Sequence, residues 1–312
     1  MIATVIKSTG SWYLALCSDY SIVQCRIKGK FRLEDKKISN PIAVGDKVNI
    51  EIEPGQQSYI ISKLVDRKNY ICRTDPHRKA HKQILASNID QAVLITSLHQ
   101  PRVPLGFLDR FSMITEMYHI PLQIIFNKCD IYDDNTMLKF EEAKSIYEDA
   151  GYQVHLISIE KNINTDVLHK VFDNKTSLIS GQSGVGKTAT INFLSPQLQL
   201  KTQSVSDSNE KGQHTTTFAE MHIINQNTFV IDTPGVKELG IADIELDEIS
   251  QYFPDLRRHL PNCKFNNCKH LDEPNCAVKD ALENQLIHPL RFGSYLSIVE
   301  EVQTGLKFWQ KK

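Results

Sequence analysis

Five short stretches in the first 65 residues, at 2–7, 12–16, 22–27, 47–52 and 59–64, alternate apolar with polar side chains or run in β-branched residues. Turn signals separate them: Ser8-Thr9-Gly10, Lys28-Gly29-Lys30, Gly45-Asp46 and Pro54-Gly55. A period of two buries one face of a strand. Five such strands with little helical spacing predict a small β-barrel, an OB-fold first and an SH3-like barrel second.

The rhythm changes near residue 88. Apolar runs at 91–96, 122–126, 153–158, 177–180, 218–224 and 228–231 are interleaved with helically spaced segments at 105–118, 137–150 and 165–172. That alternation predicts an α/β unit around a mainly parallel sheet. From Asp243 onward the pattern is mostly helical, broken by a cysteine cluster. The expected division is a barrel over 1–68, an α/β unit over 69–240 and a helical, metal-bearing unit over 241–312.

Composition narrows the class. Of 312 residues, 41% are hydrophobic and 23% charged, as in soluble globular proteins. No apolar run approaches the roughly 18 residues that span a bilayer, and the N-terminus lacks the basic and apolar regions of a signal peptide. A soluble, cytoplasmic protein with no membrane partner is expected, working as a monomer. The net charge of −1 excludes a globally basic nucleic-acid binder. Charge is nevertheless uneven: Lys63, Arg67, Lys68, Arg73, Arg78, Lys79 and Lys82 face only Asp66 and Asp75. By itself such a run reads as a solvated linker.

The strongest chemical signal is Gly181-Gln182-Ser183-Gly184-Val185-Gly186-Lys187-Thr188, which fits G-x-x-x-x-G-K-[ST] between an apolar run and a helical segment at 189–194. The glycines let backbone N–H groups turn inward around phosphate oxygens. The following helix aims its N-terminus at the same anion. Lys187 supplies charge to the β- and γ-phosphates, and Thr188 a hydroxyl to magnesium.

The base is read elsewhere. Asn127-Lys128-Cys129-Asp130 follows the run at 122–126 and matches N-K-x-D. The Asp130 carboxylate can accept from both the N1–H and the 2-amino group of guanine. Adenine lacks that pair and would leave the acid unpaired. Competition between GTP and ATP separates this reading from an ATPase or a metabolic kinase. Ser158, at the end of the next run, sits where GTPases carry their last base-contacting loop. Asp232-Thr233-Pro234-Gly235 fits D-x-x-G, with Asp232 expected to hold magnesium through water and the Gly235 N–H to sense the γ-phosphate. In the run His214-Thr215-Thr216-Thr217 one threonine, Thr215 or Thr216 among them, is positioned to bind magnesium.

These motifs come in an uncommon order: the base-reading element precedes the phosphate loop, as if the chain of an ordinary GTPase were closed near residue 175 and cut after D-x-x-G. Such a permutation preserves a fold whose termini lie close together. It also makes the segment after Gly235 lead straight into the C-terminal unit, a route for transmitting the γ-phosphate state. Within that unit, Cys263, Cys268, His270 and Cys276 offer three thiolates and one imidazole. This closed, soft set suits tetrahedral structural zinc, with iron–sulfur less favoured because one ligand is histidine. An odd cysteine count without a secretory signal argues against disulfides. Cys17, Cys25, Cys72 and Cys129 read as ordinary thiols.

Together, the barrel, the permuted motifs and C-x4-C-x-H-x5-C resemble the ribosome small-subunit-dependent GTPase A (RsgA/YjeQ) family over essentially the whole chain. The resemblance implies an OB-fold, a permuted GTPase and a zinc module. It further implies GTP and GDP as ligands and a role late in maturation of the small ribosomal subunit, with hydrolysis stimulated by that subunit. Val236 follows Gly235 where many GTPases place a water-positioning glutamine. His214 is the substitute that the resemblance suggests. Under the same reading the basic run, with Trp12, Tyr13, Tyr20, Phe31 and Tyr59 on the barrel and Arg257, Arg258, Lys264 and Lys269 near the cysteines, becomes a surface for ribosomal RNA.

Overall fold

The computed structural model describes residues 1–27, 38, 40–53, 55, 58–74, 82–201, 219–233 and 244–304. The first five strands fall close to where the period-two pattern puts them: β1 (Ile2–Ser8), β2 (Tyr13–Cys17), β3 (Ile22–Ile27), β4 (Lys47–Ile52) and β5 (Tyr59–Leu64). They pair in the order β1-β2-β3-β5-β4, and β4 returns to β1, closing a barrel of OB-fold type. The alternation turns Val5, Ala15, Cys25, Val48, Ile50 and Ile61 into its core. Tyr13 is buried there, Trp12 and Tyr20 are exposed, Tyr59 is half-buried, and Phe31 lies outside the described residues.

The basic run is not a linker. Strand β6 (Tyr70–Thr74) and strand β7 (Lys82–Ser87) form an antiparallel two-stranded sheet. Ile71, Cys72, Ile84 and Leu85 are buried in it. Arg67 leaves the solvent as well: its Nε and Nη2 each donate to the Asp46 carboxylate at 2.7 Å. Lys68 pairs with Asp90 at 3.2 Å. Adjacent buried apolar pairs on the two strands and the Arg67–Asp46 ion pair hold this segment against the barrel, which the charge count alone does not reveal. Arg78 and Lys79 lie outside the described residues.

The next elements are β8 (Gln91–Thr96), α1 (Leu105–Met117), β9 (Leu122–Phe126), α2 (Asp134–Asp149), β10 (Gln153–Leu156), α3 (Asp166–Phe172), β11 (Thr176–Ser180), α4 (Lys187–Leu194), β12 (Glu220–Asn225) and β13 (Thr228–Asp232). Strands β10, β9, β8, β11 and β13 lie parallel in that order, with β12 antiparallel at the end. All six residues of β8 are buried, as a strand covered on both faces requires. From β11 the chain feeds β12 and β13 on one side, while β8, β9 and β10 lie on the other. The order therefore reverses between β8 and β11, and ligands bind at such a switch point, outside the carboxyl ends of the strands. Among the described residues a single register pair, Lys7↔Glu220, joins the barrel to this sheet through β12.

The C-terminal unit carries α5 (Pro254–Arg257), α6 (Ala277–Glu283) and α7 (Pro289–Thr304). It packs on α1 around Met113, Phe253, Leu256, Tyr295 and Ile298. Among the described residues no helix is long and apolar enough to cross a membrane.

Candidate nucleotide site and metal cluster

The phosphate loop leaves β11 at the switch point. Gly181 has φ 146°, and a Cβ there would lie 2.1 Å from the Ile95 carbonyl oxygen of β8. No other residue fits so close to a neighbouring strand. Gly186 has φ 105° and caps α4, and a Cβ on it would lie 2.3 Å from Asn127 Nδ2. Val185 is buried, whereas Ser183 and Gly184 face solvent. Helix α4 begins at Lys187, two residues before the helical segment read from the sequence. Lys187 Nζ donates to the carbonyls of Gly181 and Gln182, each at 2.9 Å. Burial pulls the Lys187 ammonium below the ordinary lysine range, and Asp232 counters this. Thr188 is half-buried in the first turn of α4.

Asp232 ends β13, in register with Ile179 of β11. Burial pushes its carboxyl up to about 6, with Lys187 pulling the other way. Its Oδ1 is buried without a hydrogen-bond partner among the described residues. A buried, unpaired carboxylate oxygen at a strand end is a hard oxygen ligand of the kind a divalent cation takes.

The base-reading loop is fastened to the phosphate loop. Asn127 Nδ2 donates to the Val185 carbonyl at 2.9 Å, while its Oδ1 accepts from Ile159 N–H at 3.2 Å. One side chain thus joins three loops that are far apart in sequence. Lys128 adopts the left-handed conformation, φ 69°, and its ammonium donates to the Gln100 carbonyl. Cys129 is half-buried, and its N–H reaches the Ile157 carbonyl at 3.1 Å. Ser158 lies two residues beyond the end of β10, in an isolated bridge with Ile163. Its hydroxyl donates to Asp130 Oδ1 and accepts from Lys161 N–H at 3.1 Å. Asn127, Asp130, Ser158, Lys187 and Asp232 are therefore assembled at one end of the sheet. His214, Thr215, Thr216 and Gly235 lie outside the described residues, as does the connection at 234–243.

In the C-terminal unit, the ligand atoms of Cys263, Cys268, His270 and Cys276 lie within 4.8 Å of one another. His270 Nδ1 lies 3.2 Å from Cys276 Sγ and 3.8 Å from Cys263 Sγ. Those distances bracket the roughly 3.6 Å between nitrogen and sulfur ligands of a tetrahedral zinc ion. The turn is preset: Glu273 accepts from Lys269 and Leu271 N–H at 2.8 Å each, and the Tyr295 hydroxyl donates to the Lys269 carbonyl at 2.6 Å. Burial pushes the Cys268 thiol up to about 12, so three thiolates at this spacing need a cation's charge beside them. The set is compatible with zinc.

A sequence profile described as RsgA GTPase matches residues 64–242, and one described as RsgA N-terminal domain matches residues 3–60. The chain belongs to the RsgA GTPase family. It is 45% identical to a protein of Cytophaga hutchinsonii named small ribosomal subunit biogenesis GTPase RsgA, covering 97% of this chain and 99% of that one. A protein of the same name from Phocaeicola vulgatus is 42% identical over 98% of both chains. Among solved structures, YloQ, described as a circularly permuted GTPase, superposes with a TM-score of 0.74 at 30% identity, covering 98% of this chain and 96% of that one. YjeQ from Thermotoga maritima gives 0.77 at 27% identity, covering 97% and 98%. Membership makes the chain a GTP hydrolase, with an OB-like barrel before its permuted GTPase domain.

Two features of this family member escape motif reading. The loop after β8 takes part in the site: Gln100 receives Lys128, and Pro101 Cδ would lie 3.7 Å from a Cβ on Gly184. The C-terminal unit is locked to α1 by Arg291, whose guanidinium meets Asp109 at 2.7 Å and Asp255 at 2.8 Å with all three buried. A proline after a strand and an arginine in a helix carry no signal of such roles until the fold brings their partners near.

Proposed function

We propose that this chain binds GTP across the base-reading and phosphate loops, engages the small ribosomal subunit late in its maturation, and hydrolyses GTP under stimulation by that subunit. The observation that carries the nucleotide half is the Asn127 bridge to Val185, which makes two permuted motifs into one pocket. The ribosomal half draws its support from the names of relatives that match nearly end to end. Asp130, steadied by Ser158, accepts from guanine, while Asn127, Lys128 and Cys129 shape the loop around it. Residues 181–188 wrap the phosphates. Lys187 exchanges its two carbonyl acceptors for phosphate oxygens, and Thr188 and Asp232 hold magnesium. Magnesium, when bound, neutralises charge between the β- and γ-phosphates. Thr215, Thr216 and Gly235 sense the γ-phosphate, and His214 orients the attacking water that Val236 cannot. Cys263, Cys268, His270 and Cys276 hold one structural zinc per chain. The division into 1–68, 69–240 and 241–312 then pairs a barrel that grips ribosomal RNA with a GTPase and a zinc-stapled helical unit, acting as a monomer in the cytoplasm.

The test is phosphate release from GTP and from ATP, with and without purified small subunits. Slow, GTP-specific release that accelerates manyfold with subunits is expected. Equal turnover of ATP would remove the guanine assignment, and indifference to subunits would remove the ribosomal one.

A further inference from the structure

Tyr132 ends the short 3-10 turn at Cys129–Ile131, and nothing in the N-K-x-D motif calls for a tyrosine there. Its side chain is half-buried, and burial pushes the phenol above its ordinary range, so the hydroxyl keeps its proton. That one proton goes to the Asn127 carbonyl at 3.0 Å. The oxygen in turn accepts from Leu98 N–H at 2.9 Å, with Ser97 Oγ at 3.3 Å. Ser97 Oγ is committed to the His99 carbonyl at 2.6 Å and accepts from His99 N–H at 3.2 Å, which folds the strand end into a tight turn.

The turn after β8 carries the Gln100 carbonyl that receives Lys128 and the Pro101 ring that lies beside Gly184. Asn127 carries the bond to Val185 within the phosphate loop. One hydroxyl therefore ties the Asn127 loop to the turn after β8. A hydroxyl has one proton to give and can accept as well, so no apolar side chain of similar shape can hold both partners. Pre-ordering loops before the ligand arrives removes an ordering cost from binding.

We propose that Tyr132 is a positioning residue for the nucleotide, setting affinity for GTP and GDP by holding Asn127 and the turn at 97–101 in the binding geometry. This rests on the reading that guanine sits at Asp130. Tyr132 acts on the ground-state complex, so it sets the dissociation constant and KM and leaves kcat unchanged at saturating GTP.

The test uses the full chain with Tyr132→Phe, which keeps the ring and removes the hydroxyl. Binding of a fluorescent GDP and steady-state hydrolysis are measured, together with thermal unfolding of the nucleotide-free protein. The expected result is a rise of about 5- to 30-fold in Kd and KM, with kcat within about twofold. A control, Tyr20→Phe, removes a hydroxyl that donates to the distant Gln226 carbonyl and should leave Kd unchanged. A lowered melting point with Kd within about twofold of the parent would make Tyr132 merely structural and overturn the proposal, as would an equal loss in Tyr20→Phe. Asp130→Asn separates the underlying reading, because an amide donates to the 2-oxo group of xanthine where the carboxylate accepted from guanine. If that variant fails to move preference toward xanthosine triphosphate, the guanine assignment fails. If preference moves while Tyr132→Phe binds normally, the Tyr132 proposal alone fails.

Discussion

Two carboxylates drawn out of water, the buried Asp109 at the seam between α1 and the C-terminal unit and the half-buried Asp232 at the phosphate loop, begin from the same kind of penalty and end differently. Burial pushes both above the usual carboxylate range. At Asp109 the penalty is met locally. Arg291 donates at 2.7 Å, the Tyr147 hydroxyl at 2.8 Å, and the Ser294 hydroxyl to the second oxygen. Burial works against the Arg291 charge too, but Asp255 and Asp109 hold it well above the ordinary arginine value. The guanidinium also lies 4.8 Å from the Phe253 ring centroid, so its faces are covered as well as its edges. At Asp232 one oxygen has no partner among the described residues, and the nearest charge, Lys187, is occupied with loop carbonyls. A satisfied buried charge fastens domains, whereas an unsatisfied one keeps its desolvation penalty until another group meets it.

The sharpest way to break that comparison is Arg291→Ala. Removing the guanidinium leaves Asp109 and Asp255 buried without a counter-charge, a loss that costs about 3–5 kcal/mol. The C-terminal unit should then loosen from α1, seen as a lower urea midpoint and earlier protease cleavage near Phe253 and Leu260. Adding Asp109→Asn and Asp255→Asn should restore most of the loss, because no charge remains to be stranded. A single-variant cost below about 1 kcal/mol would show that the cluster is solvated and is not a lock.

Asp232→Asn probes the other carboxylate and should have the opposite sign. The folded value of about 6 stands above the ordinary 3.8, so the contribution to stability is fully present below about 3.8 and lost as pH rises through about 6. At pH 8 the ionised side chain therefore costs folding free energy, on the order of 1–3 kcal/mol. The asparagine variant should be more stable than the parent at pH 8 in the absence of nucleotide, with the gap narrowing toward pH 5. Its magnesium-dependent GTP hydrolysis should fall steeply. Equal stabilities at both pH values would place the Asp232 carboxylate in water.

These two sites were not equally legible in the sequence. The phosphate loop declares itself because a backbone that must turn its N–H groups inward tolerates little but glycine at Gly181 and Gly186. The cysteine cluster declares itself because all four ligand side chains fall close together between Cys263 and Cys276, at spacings that suit one tetrahedral ion. Asp130 gains meaning from the strand before it, whereas the hydrogen bond it receives from Ser158 is supplied only by the fold. Arg291 and Asp109 are 182 positions apart, and neither belongs to a spaced pattern. The hairpin of β6 and β7 was hidden for another reason: basic side chains dominate the segment, while its buried Ile71, Cys72, Ile84 and Leu85 are split between two short strands. Tyr132 is visible only through three backbone and side-chain partners that the fold supplies.

The junction between barrel and GTPase sheet offers the mildest contrast. There Lys7 meets Glu220 at 2.9 Å, with both side chains more than a third exposed. Water already solvates such a pair, so Lys7→Ala should cost at most about 1 kcal/mol, and less as salt is raised. The barrel keeps its other attachments, Arg67 to Asp46 and Lys68 to Asp90, so its position should survive the substitution. Urea unfolding at low and high ionic strength reads both effects. A loss comparable to that of Arg291→Ala would mean that an exposed pair holds its junction as strongly as the buried cluster holds the C-terminal unit, and the weight given to burial would have to be abandoned.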